Sequence, residues 1–267
     1  MAFSGQEFAW RLYRYGVASG VASLSRVTEA KFAAGLLLHP VGYWESVELP
    51  LLMRELLPAP GERILDVGGP KLMALYLAEK LGARVDATEV REAQVRNFTR
   101  LRELRHVPGD RLHITIASGE GLPYDDELFS KAYCMDVITP REAGAGLAVL
   151  RELCRVLLPG GRCSVTIPFN AVGRSGDAGF SEDSMRALLI EGSGLVVDKV
   201  LYLGEALLNR SRQGLAEYLH PLMGALLPAL SGIVHVEGPL SSTLVKRPRR
   251  AFLLLRKPVK GDAEVHS

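Results

Sequence analysis

The chain has 267 residues, 48% of them apolar, 23% charged and 7% aromatic, the composition of a folded globular protein and not of a disordered or fibrous one. Its 32 basic and 30 acidic side chains leave a formal charge of +2, too little to draw the whole molecule to nucleic acid or an anionic membrane. Cys134, Cys154 and Cys163 include no CxxC pair, which argues against a disulfide framework or a zinc site, and no metal is expected.

The first residues, MAFSGQEFAWRLYRYG, place Glu7, Arg11 and Arg14 where a secretory signal would need an apolar core, so the expected setting is the reducing cytoplasm. Residues 6–34 predict one or two short helices with Gly16 and Gly20 as breaks. A further helix is predicted over 42–57, with Tyr43, Val47, Leu51, Leu52 and Leu56 near one face. Pro50 fits it only in the first turn or as a kink, and PAPG ends it. Residues 1–58 therefore read as an N-terminal helical cap.

From residue 62 short apolar runs alternate with amphipathic segments, as in βαβ units around a parallel sheet. Strands are predicted at 63–67, 84–89, 111–116, 131–135, 162–167, 195–203 and 251–256, and helices at 72–81, 92–105, 141–157 and 182–190. The expected fold is α/β: a doubly wound, mostly parallel, seven-stranded sheet, its core over 59–204, with N-terminal helices and a C-terminal helical insertion. Residues 205–250 break the rhythm and hold an apolar helix candidate at 211–227. They read as a lid over the carboxyl ends of the strands, where open α/β sheets bind ligands, or as a face packed on the sheet or on a second copy of the chain. The apolar stretch 222–236 is interrupted by Pro228 and falls short of the ~20 residues of a membrane span. KRPRR, 246–250, reads as an exposed loop ahead of a buried edge strand, with 251–267 as last strand and tail.

The chemistry concentrates in 62–90. Strand ILDV ends on Asp66, followed by Gly68, Gly69 and a helix opening at Lys71 or Leu72. The glycines allow a tight turn and close approach of a ligand to the backbone, and a helix start favours a negative ligand group. Glu89, at the end of the next strand, is placed to accept the hydroxyls of a ribose. A nicotinamide site would need GxGxxG directly after the strand; the acid-before-glycine order here disfavours it.

On these residues the chain resembles the class I S-adenosylmethionine-dependent methyltransferases, in particular the small-molecule group with a ubiquinone/menaquinone-methyltransferase-like core. ILDVGG is similar to the first motif, GARVDATEV to the second strand, SGEGLPYDDELFSKAYCMDVI to the third loop and fourth strand, and LRELCRVLLPGGRCSVTIP to the helix, PGG turn and fifth strand. The resemblance covers about residues 60–170 and implies a Rossmann-like methyltransferase fold. It also implies S-adenosylmethionine as cofactor, held by Asp66, Gly68, Gly69, Pro70, Lys71, Glu89, Val90, Ser118, Gly119, Glu120 and Asp136. Three positions depart from the family. Pro70 and Leu72 stand where later glycines would be, which costs one backbone N–H, and Lys71 could replace that contact by pairing with the cofactor's carboxylate. Ser118 stands where an aspartate commonly meets the adenine amino group, and a hydroxyl accepts that bond with less charge assistance.

The expected function is O-methylation of an apolar or aromatic small molecule by in-line transfer, driven mainly by positioning. No catalytic residue is identified. Asp136 reads as a cofactor or structural group ahead of a base, and His220 and His235 are weaker candidates. DNA is not expected as a partner, because CMDVI replaces the NPP-type turn of base methylases. Arg96, Arg100, Arg102, Arg105 and Arg111 read as a solvated helix face. Phe8, Trp10, Tyr13, Tyr43 and Trp44 fit either core or pocket wall. The alternatives are a non-catalytic scaffold on the same fold, an RNA methyltransferase, or an NAD-dependent oxidoreductase.

Overall fold

The computed structural model describes residues 5–24, 29–170, 179–205, 235–238 and 248–259. Helices α1 (Gly5–Leu24), α2 (Ala30–Leu38) and α3 (Glu45–Leu56) come first. Then follow β1 (Arg63–Val67), α4 (Lys71–Tyr76) continued by a π-helical turn over Leu77–Leu81, β2 (Arg84–Glu89), α5 (Glu92–Leu104), β3 (Leu112–Ile116) and β4 (Phe129–Met135). The rest comprises α6 (Ala143–Val156), β5 (Leu157–Pro168), α7 (Glu182–Met185) with a π-helical turn over Arg186–Ile190, β6 (Val196–Glu205), β7 (His235–Gly238) and β8 (Pro248–Arg256).

All strands among the described residues join one sheet in the order β3-β2-β1-β4-β5-β8-β6-β7. Strands β1 to β5 pair in parallel, and β8, β6 and β7 complete the sheet in antiparallel fashion. The seven expected strands are present, and β7 adds a short eighth from within the 205–250 segment. One reading is corrected. Strand β8 is not at an edge but pairs with both β5 and β6, and its Phe252–Leu255 run is buried on both faces, as an unbroken apolar run implies. The helix expected at 211–227, His220, Lys246 and Arg247 lie outside the described residues. No helix among the described residues is long and apolar enough to cross a membrane.

The pleat divides the core. Ile64, Val85, Ala87, Tyr133 and Met135 pack with residues of α1 to α5, whereas Leu65, Val67, Cys134 and Val165 pack with residues of α6 and α7. Asp66 shares the face of Ile64, and Glu89 that of Val85 and Ala87. Asp66 is in register with Ala87, so Glu89 stands two residues nearer the strand tip, roughly 7 Å along β2. Both acids therefore emerge on the side covered by the N-terminal helices.

The expectation that Gly16 and Gly20 break the first helix is also corrected, because α1 runs through both. A Cβ on Gly16 would stand 2.2 Å from Pro40 Cβ and 2.9 Å from Leu72 Cδ2, and one on Gly20 would stand 2.9 Å from Leu37 Cγ. The glycines are the points where α2 and the chain after it close on α1; this packing offsets a helix penalty of about 1 kcal/mol each. Pro50 is interior to α3, where it cannot donate to the Ser46 carbonyl. The arginines of the predicted solvated face are largely paired: Arg96 with Glu92, Arg100 with Glu103, Arg105 with Glu79.

Two alanine substitutions in N-terminal helices should move stability in opposite directions. Gly16→Ala is expected to destabilise by about 1–3 kcal/mol through overpacking. Gly35→Ala, where nothing lies within 4 Å of the new Cβ, is expected to stabilise by about 1 kcal/mol through helix propensity. Urea-unfolding midpoints of the two variants check this.

Candidate functional site

Strand β1 ends on Asp66, which is wholly buried. Gly68 then turns the chain at φ 68°, a left-handed conformation that side chains rarely adopt, and a Cβ there would lie 2.2 Å from Val137 Cγ2. A Cβ on Gly69 would lie 2.6 Å from Tyr133 Cε2 and 2.7 Å from Asp66 Oδ1. With glycine at both positions the loop folds back over its own acid. Gly69 N–H donates to Asp66 Oδ1 at 2.7 Å. The Lys71 ammonium donates to Asp66 Oδ2 at 3.1 Å and to the Gly69 carbonyl at 2.6 Å. Burial lifts the Asp66 carboxyl above its ordinary range, against the pull of the Lys71 charge and of the hydrogen bonds it accepts.

Glu89 is organised differently. Its carboxylate accepts the backbone N–H groups of Val90 and Arg91, both at 3.1 Å, and the Arg91 guanidinium through Nε at 3.1 Å and Nη2 at 3.2 Å. Burial alone would raise its proton affinity, but the Arg91 hydrogen bonds outweigh burial and hold the carboxyl below its ordinary value. Arg91 itself is two-thirds exposed. A ligand bearing two hydroxyls can take its place on the carboxylate.

These groups border a cavity of about 610 Å³, within the ~300–1,000 Å³ of small-molecule sites. The sheet contributes Gly68, Gly69, Pro70, Lys71, Glu89, Met135 and Asp136; α2 and the chain after it contribute Phe32, Leu36, His39, Pro40, Gly42 and Glu45. Of the expected cofactor residues, Asp66 lies beneath the loop as its anchor. Val90 is exposed beside the cavity and does not line it. Ser118, Gly119 and Glu120 follow β3 on the same sheet edge, where Ala117 N–H donates to the Glu89 carbonyl at 3.2 Å, but they do not line the cavity either. Ser118 Oγ accepts the Glu120 N–H at 3.1 Å. Tyr43 and Trp44 belong to the core; their neighbours Gly42 and Glu45 face the cavity.

A charged cluster at the α3 end went unforeseen in the sequence. Glu45 Oε2 accepts the Gly42 N–H at 2.7 Å. Glu48 is fully buried, and neither of its oxygens has a hydrogen-bond partner among the described residues. Arg250 Nη1 stands 3.6 Å from Glu48 Oε1, pairs with Asp136, and lies over the Trp44 ring at 5.4 Å. Burial, opposed by Arg250 and reinforced by Asp136 and Glu45, pushes the Glu48 carboxyl up to about 8. The available signal was a glutamate directly beside the buried run Leu49, Pro50, Leu51, Leu52. Arg250, expected in an exposed loop ahead of an edge strand, turns inward because β8 is central.

Residues 65–165 match the family model described as Methyltransferase domain. Methyltransferase GfsG of Streptomyces halstedii is 33% identical over 106 residues, which is 39% of this chain, and the chain spans 37% of that relative's length. The fold is similar to that of geranyl diphosphate methyltransferase in complex with GPP and sinefungin, at TM-score 0.54 and 13% identity over 80% of this chain and 77% of that one. It is also similar to the cyclase SpnF, at TM-score 0.54 and 19% identity over 82% and 84% of the two chains. Over residues 65–165 the chain is thus similar to the methyltransferase domain family, on a fold shared with these solved structures.

Two consequences can be measured. Lys71→Ala strands a buried carboxylate and is expected to cost about 3–5 kcal/mol, whereas the paired change Asp66→Asn with Lys71→Met should cost less than Lys71→Ala alone; denaturant titration compares them. Glu48 holds its proton up to about 8 in the folded chain against an ordinary value of 4.5. The native state thus binds the extra proton between those values, and this group's contribution makes stability fall as pH rises through that window. Glu48→Gln should raise the Tm at about pH 9 and leave it nearly unchanged at about pH 4.

Proposed function

We propose that the chain transfers the methyl group of S-adenosylmethionine to an oxygen of a small apolar molecule. The observation that carries this reading is the single cavity that meets the glycine loop, the Glu89 carboxylate and the tip of β4 on one side and Phe32, Leu36 and Glu45 on the other. The residues fit the cofactor. Gly68 and Gly69 leave open the space that a Cβ would take, and Glu89 is ionised and placed for the ribose hydroxyls. Lys71 is held on Asp66, which keeps the loop rigid. Val90 and Ser118 to Glu120 would edge the adenine, with the Ser118 hydroxyl turning from its own loop. When bound, the cofactor supplies an electrophilic methyl group on sulfur.

Phe32, Leu36, Leu72, Phe98 and Met135 provide apolar lining against which an apolar acceptor can be oriented. Alignment of its oxygen with the methyl–sulfur bond can supply about 7–11 kcal/mol of the barrier reduction. Helices α2 and α3 of the N-terminal cap would exclude water from that side of the cavity. A second reading, a non-catalytic protein on this fold, is favoured by the Arg91 clasp on Glu89 and by Pro70, which offers no N–H.

Calorimetry with S-adenosylmethionine and its demethylated product separates the two. The wild-type chain is expected to bind both, and Glu89→Ala to weaken binding roughly 10- to 100-fold through loss of charge-assisted bonds. Absence of binding by the wild type at about millimolar concentration would favour the non-catalytic reading.

A further inference from the structure

The sequence supplied no base for the transfer, and the α3 cluster supplies a candidate. Glu45 borders the cavity together with Gly68, Met135 and Asp136, at the tips of β1 and β4. Its Oε2 is fixed by the Gly42 N–H at 2.7 Å, which holds the carboxylate at the cavity wall. Around it stand Glu48 on its own helix, Asp136 directly after β4 and Arg250 from β8; His39, Lys71 and Glu89 line the same cavity. Arg250 is engaged by Asp136 and faces Glu48 at 3.6 Å. One guanidinium therefore serves three carboxyl groups.

We propose that Glu45 is the general base of the transfer, and that the acceptor presents to it a neutral hydroxyl of a phenol or enol. The inference rests on the methyl-transfer reading above. A carboxylate acceptor would bring a further negative charge to a half-buried site already rich in them. A neutral hydroxyl enters without that penalty but must lose its proton. Burial first, then the nearby Asp136, raises Glu45 above its ordinary value against Arg250 and the Gly42 hydrogen bond, toward the range where a base works best. Glu45 takes the hydroxyl proton as the oxygen–methyl bond forms and the methyl–sulfur bond breaks, the bonding pair remaining on sulfur. Charge is conserved: the carboxylate and the sulfonium are both neutralised.

The test uses the wild-type chain and Glu45→Gln. Each is titrated calorimetrically with the demethylated cofactor; 4-nitrophenol is then added to that complex and its ionisation followed by absorbance as pH is varied. Initial rates are measured with S-adenosylmethionine and para-substituted phenols of graded acidity, with benzoate as the carboxylate control. Both proteins should bind the demethylated cofactor equally. The bound nitrophenol should titrate lower in Glu45→Gln by roughly 1 unit or more, because the neighbouring negative charge is gone. Rates should fall about 10²- to 10⁴-fold with the least acidic phenols and little with the most acidic, which arrives ionised. The proposal is overturned if the nitrophenol titrates alike in both proteins, if the rate loss is independent of acidity, or if a wild type that binds the cofactor product leaves every phenol unbound and unmethylated. Failure of the wild type to bind the cofactor product would instead overturn the methyl-transfer reading itself.

Discussion

The buried contact between Asp66 and Lys71 sets the shape of everything around it. A carboxylate with no exposure at the tip of a central strand must be given donors or a neutralising charge, and here it receives the Gly69 N–H and the Lys71 ammonium. Bringing those donors back over the acid requires a left-handed residue at Gly68 and an absent side chain at Gly69, where Tyr133 of the neighbouring strand fills the remaining space. The tips of β1 and β4, the loop and the first turn of α4 thereby become one packed unit. A cofactor meets a surface already organised, so less ordering has to be offset by binding.

From that unit the electrostatics run in two directions. On the β2 side Glu89 is held ionised by backbone donors and an exposed guanidinium. On the α3 side Glu48 is stripped of donors and retains its proton, with Glu45 and Asp136 close by. Carboxyl groups of the same chemical type are thus separated by environment: Glu89 is held below its ordinary value, whereas burial raises Glu45 and Glu48 above theirs. Such a division is characteristic of sites that bind at one end and handle protons at the other.

The sheet was legible in the sequence because its strands are apolar runs punctuated by glycine and proline, and β1 and β2 were delimited to the residue. The glycine loop and Glu89 were legible because they lie within one βαβ unit, where spacing along the chain translates into spacing at the sheet edge. Gly16 and Gly20 were misread for a physical reason: a glycine that admits a neighbouring helix and one that ends a helix look alike without the neighbour. Glu45, Glu48 and Arg250 are brought together by the docking of α3 on strands far away in the chain, which no local pattern encodes. The position of β8 depends on chain returning from beyond β7, so the inward turn of Arg250 could not be read from KRPRR.

Cofactor binding at this site requires Glu89 to exchange its Arg91 clasp for the ribose hydroxyls while Lys71 stays on Asp66. A crystal structure of the chain with the demethylated cofactor measures this directly. The expected result is both ribose oxygens within hydrogen-bond distance of Glu89, Arg91 swung away, and the Lys71–Asp66 contact unchanged. A product molecule bound elsewhere, or Glu89 still paired to Arg91 with the cavity empty, would contradict it.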